Sequence, residues 1–119
     1  MREATRLFVG LEAITFSVAV LVHFGLLTGG YEHRKAAIAE SAIAVVLVLG
    51  FAFSWIRPER IPAIGMATQG FALLGTLVGV FTIAVGVGPR TIPDIAYHIG
   101  IVVVLMVGLG VAMRARSPI

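Results

Sequence analysis

Four long apolar runs separated by three short polar connections set the pattern of this chain. The runs cover about residues 7–28, 36–56, 63–87 and 94–113. Each is close to the ~20 residues an α-helix needs to cross the hydrocarbon core of a bilayer. The connections read "GGYEHRK", "RPERIP" and "GVGPRTIP", and glycine or proline punctuates all three. A backbone in lipid must satisfy its own hydrogen bonds, so each run is predicted to be helical. Connections this short force antiparallel neighbours, which makes the expected fold an all-α up-down-up-down bundle forming one transmembrane domain over residues 1–119.

Composition sharpens that reading. Of 119 residues, 59% are hydrophobic and 13% charged, more apolar surface than a small water-soluble globule can hide. The first run is long and is followed at once by others like it, which fits a span better than a cleaved signal. With no cysteine, disulfides, thiolate metal sites and thiol redox chemistry are excluded. The net charge of +3 lies in basic residues flanking the apolar runs, and no nucleic-acid motif accompanies them. The expected partner is therefore the lipid bilayer, not nucleic acid.

The distribution of the basic residues carries the orientation. Arg2, Arg6, Arg57, Arg60, Arg114 and Arg116 fall on the side of the termini, whereas Arg34, Lys35 and Arg90 fall on the other. Six against three favours both termini in the cytoplasm of a bacterial-type inner or plasma membrane. A faint internal repeat is also present. A shift of 58 residues lays "ESAIAVVLVLGFAF" over "HIGIVVVLMVGLGV", matching Ile43 with Ile101, Val45 with Val103, Leu47 with Leu105 and Gly50 with Gly108, and setting Glu40 opposite His98.

Ionisable groups inside a bilayer are costly and point to function by default. Placed on the predicted spans, His23, Glu40 and His98 come to similar depth on three helices, roughly 6–8 Å below the surface opposite the termini. Two imidazoles and a carboxylate form a plausible site for a transition-metal ion such as Zn, Fe, Cu or Mn, with positions left open for redox chemistry or metal handling. Asp94, four residues before His98, is expected on the same helical face, and His33 shares a face with Glu40. With Glu32, they are expected to support the site and cover its entrance. The same histidines allow a second reading, in which haem b is held between His23 or His33 and His98 for electron transfer.

A second polar pair, Glu12 and Gln69, is expected at similar depth near the terminal end, within hydrogen-bonding reach of each other. Glu12 with Glu40 makes a small proton-coupled transporter a third reading. A plain structural role, in which all these groups serve as interhelical glue, is the fourth. Gly25/Gly29 and Gly75/Gly79 have the small-residue spacing of close helix packing, and four helices barely enclose a site, so a homo-oligomer, dimer or trimer, is expected. No phosphate loop or nucleophile–base motif is present, and whether the chain is an enzyme is left open by the sequence.

Overall fold

A computed structural model describes residues 1–116 as four α-helices: α1 (Arg2–His23), α2 (Arg34–Ile56), α3 (Ile61–Ala84) and α4 (Ile92–Arg116). A single 3-10 turn, Pro58–Arg60, leads into α3. All four helices are long and apolar enough to cross a membrane. The long axis of 47 Å matches a bilayer measured with its headgroup regions, ~40–45 Å. The all-helical, four-span architecture is the one expected.

α1 begins and ends five residues earlier than its apolar run. At its start, Arg2, Glu3 and Arg6 extend the helix past the apolar run, because straight-chain charged residues are good helix formers. At its end, Gly25 adopts φ +76°, a conformation that suits glycine and stops the helix. The Gly25/Gly29 pair therefore lies in the loop between α1 and α2 and forms no helix-packing face, correcting the expectation for that motif. Gly75 and Gly79 do lie on a helix, where they face Ile43 and His98 of the same chain.

Neighbouring helices pack in sequence around the bundle, and α1 also crosses against α3 through its middle. Among the described residues, no Cα atom of α2 lies within 8 Å of one in α4. The central layer is apolar: Phe16, Leu47, Ala72 and Leu105 are all buried. Two glycines let the helices close up. A side chain at Gly50 would strike Thr68 of α3, and one at Gly108 would strike Gln69 of α3. Those two glycines stand 58 residues apart, as do the first residues of α2 and α4.

Candidate functional site

Helix direction brings the polar groups together. In any α-helix, side chains lean toward the N-terminus. α1 begins at the terminal end of the bundle, so His23, its last residue, leans back into the bundle. α2 and α4 begin at the opposite, distal end, so Glu40 and Asp94 lean out toward it. The three meet. His23 Nδ1 lies 2.5 Å from Glu40 Oε1, and His23 Nε2 lies 2.8 Å from Asp94 Oδ1. All three are buried, with 3%, 6% and 6% of their surfaces exposed.

Counting donors fixes the chemistry of this cluster. A carboxylate oxygen can only accept, so both contacts are hydrogen bonds only if the ring carries two protons, or if one carboxyl carries a proton of its own. At least one exchangeable proton beyond those of a neutral imidazole and two carboxylates is thus built into the geometry. The ring also ties together α2 and α4, which otherwise stand apart. Glu40 Oε2 is buried with no partner among the described residues. Thr91 donates to Asp94 Oδ2 at 2.5 Å and accepts from the Asp94 N–H at 3.2 Å, capping the start of α4 as it orients the carboxylate.

His98 is buried nearby but is engaged differently. Its Nδ1 lies 2.7 Å from the carbonyl oxygen of Asp94, one turn earlier in α4. Since a carbonyl only accepts, Nδ1 carries the proton and Nε2 keeps a free lone pair when the ring is neutral. That lone pair points toward Gly79, whose missing side chain leaves it uncovered. Tyr97 turns inward, packing edge-on against Phe16 and His98, and its hydroxyl is buried with no partner among the described residues. Glu40, Thr76, Tyr97 and His98 line a cavity of about 170 Å³ between α2, α3 and α4. An apolar cavity of ~150 Å³ takes benzene, so there is room for a small organic molecule.

The flanking groups are structural ties. His33 caps α2, its Nδ1 accepting from the Ala36 N–H at 3.1 Å, and its Nε2 donates to the Val87 carbonyl at 3.1 Å across the distal loops. Glu32 accepts from the Gly30 N–H within its own loop. At the other end of the bundle, Glu12 and Gln69 do come together, both abutting Gly108. The Gln69 amide nitrogen, however, donates to the Gly65 carbonyl of its own helix at 3.0 Å, and Glu12 has no hydrogen-bond partner among the described residues. Arg6, read from sequence as an interfacial charge, is buried. It pairs with Glu3, donates to the Ser54 carbonyl at 3.0 Å and stacks 3.8 Å over the Trp55 ring.

The sequence-predicted metal triad is thus divided. His23 and Glu40 touch, whereas His98 bonds its own helix, and Asp94 takes the place beside His23. Among the described residues, no three His, Cys, Asp or Glu side chains converge as the ligand set of a metal ion. The partnership of His23 with Asp94 had one sequence signal, two opposite-leaning residues at neighbouring helix ends, which spacing along α4 alone obscured. No family model matches the chain, and no curated protein or solved structure is detectably similar to it.

Proposed function

We propose that this integral membrane protein binds a small ligand in the cavity between α2, α3 and α4 and exchanges a proton with it, or because of it, through the His23–Glu40–Asp94 cluster. The observation that carries this reading is that both nitrogens of a buried imidazole lie at hydrogen-bond distance from carboxylates of two other helices. Glu40 joins cluster and cavity, because its second oxygen has no partner among the described residues and the residue lines the cavity. Glu40 Oε2 and the lone pair of His98 Nε2 are acceptors, and the Tyr97 hydroxyl can donate or accept, so the favoured ligand donates hydrogen bonds and can also accept one: an amine or a hydroxyl compound. Coupled movement of such a solute and a proton across the membrane is the function this supports best, with both termini in the cytoplasm on the count of basic residues.

The chain has three histidines, so ¹⁵N labelling of histidine in bilayer-embedded protein resolves each ring. The expected result is a His23 resonance that is protonated at both nitrogens or exchanges a proton with its carboxylates, and that changes in Glu40→Gln and Asp94→Asn. A His23 resonance indifferent to both substitutions would refute the proposal.

Transition-metal binding is the second reading. It is favoured by His98, whose Nδ1 bond to the Asp94 carbonyl aims Nε2 toward the cavity that Glu40 also lines, an orientation typical of ligating histidines. Stoichiometric Zn, Fe, Cu or Mn in purified protein, lost in His98→Ala, would replace the proton reading with this one. Haem b held between His23 or His33 and His98 needs far more room than the cavity provides, so it requires the helices to part; a Soret band in the purified protein would establish it.

A further inference from the structure

Glu12 and Gln69 occupy the crossing of α1 and α3, and neither exposes any surface. The Gln69 amide nitrogen donates to the Gly65 carbonyl, and the flipped amide would set two acceptors against each other there. Its Oε1 therefore points away from Gly65, to the place beside Gly108 that Glu12 Oε2 also reaches. Both Glu12 oxygens and Gln69 Oε1 are buried without a donor among the described residues.

Nearby donors are engaged with other groups. Thr5 bonds the Met1 carbonyl, Thr68 bonds the Ile64 carbonyl, and the terminal nitrogens of Arg6 are held by Glu3 and the Ser54 carbonyl, while its Nε is buried without a partner among the described residues. Glu40, Asp94 and His98 stand at the distal end of the bundle. A carbon atom added at Gly108 would collide with Gln69, and would lie 2.9 Å from Phe8 and 3.0 Å from Glu12, so the helices are closely packed at that point. Two of these acceptors, Glu12 Oε2 and Gln69 Oε1, both reach the place beside Gly108, and a proton on the carboxyl group supplies the missing donor. A bare carboxylate here would be an unpaired charge at great cost.

We propose that Glu12 and Gln69 form a second proton-binding site, in which the Glu12 carboxyl group donates its proton to Gln69 Oε1. Eleven residues of α1 separate it from His23, about 16 Å along the helix axis. An apolar layer of Phe16, Leu47, Ala72 and Leu105 lies between the two sites. This site rests on its own geometry and stands whether or not the distal cluster exchanges protons.

Infrared spectroscopy of the full chain in bilayers at neutral pH tests it. A carboxylic-acid C=O band is expected in the native protein, lost in Glu12→Gln and shifted to higher frequency in Gln69→Leu as its hydrogen bond disappears. The band should persist in Glu40→Gln, which separates this test from that of the distal cluster. Loss of an ionised-carboxylate band in Glu12→Gln, or a band unmoved by Gln69→Leu, would overturn the proposal. In native protein alone, replacing sodium by choline should leave the band unchanged; a band that appears only without sodium would make the occupant a metal cation and overturn the proton assignment.

Discussion

His23 stands between two acids that would repel each other without it, so its partners should have unequal but visible effects when altered. Asp94→Asn retains a hydrogen-bonding side chain, and Glu40→Gln does likewise, but each replaces an ionisable carboxyl group with an amide. Removing one partner of a buried charged group is strongly destabilising, by about 3–5 kcal/mol in soluble proteins. Thermal unfolding in detergent should show a marked loss for His23→Leu and a smaller one for Asp94→Asn. The reverse order would remove His23 from the centre of the cluster. At Gly108, the smallest addition meets Gln69, Phe8 and Glu12 together. Gly108→Ala should therefore destabilise by about 1–3 kcal/mol in the same assay, the range of overpacked cores. Hydropathy alone picked out His23, Glu40 and His98, because ionisable groups stand out in apolar runs. Their pairing was not legible. The i, i+4 relation of Asp94 to His98 held, but it was satisfied by the Asp94 carbonyl, which freed the carboxylate to turn to α1.

Helices two, three and four were legible to within three residues at each boundary, since proline and glycine mark those connections. α1 was displaced because hydropathy finds lipid-facing length while backbone hydrogen bonds follow helix propensity and glycine stops. The loop after α1 is held by the His33 N–H, which donates to the His23 carbonyl at 2.8 Å, and by the His33 side chain, which caps α2 and reaches Val87. His33→Ala should therefore cost about 1 kcal/mol, the ordinary value of a helix cap, and His33→Asn should recover part of it. Full stability in His33→Ala would mean that the distal loops are fastened by other groups. The common interval of 58 residues between the starts of α2 and α4, and between Gly50 and Gly108, gives the faint sequence repeat a structural counterpart, though Glu40 and His98 no longer do the same job.

At the scale of the whole molecule, the bundle turns large apolar side chains such as Leu11, Ile38, Leu74 and Ile99 outward, the surface expected of a protein solvated by lipid. Its basic residues argue for termini in the cytoplasm, and the cysteine-free chain offers a clean check. In intact cells, an impermeant maleimide should label Thr28→Cys, and should label Glu59→Cys only after permeabilisation. The opposite pattern would invert the topology and carry the cavity to the other side of the membrane.

The clasp at His23 also has a consequence for biosynthesis. Glu40 follows His23 by seventeen residues, but Asp94 arrives with the final helix, seventy-one residues later. A ribosome releases the first helical hairpin well before the last span exists, so during insertion the imidazole holds one acid and waits for the second. Nascent chains arrested ahead of α4 should be easy prey for membrane proteases, and completion of the last span is the moment at which the distal end locks.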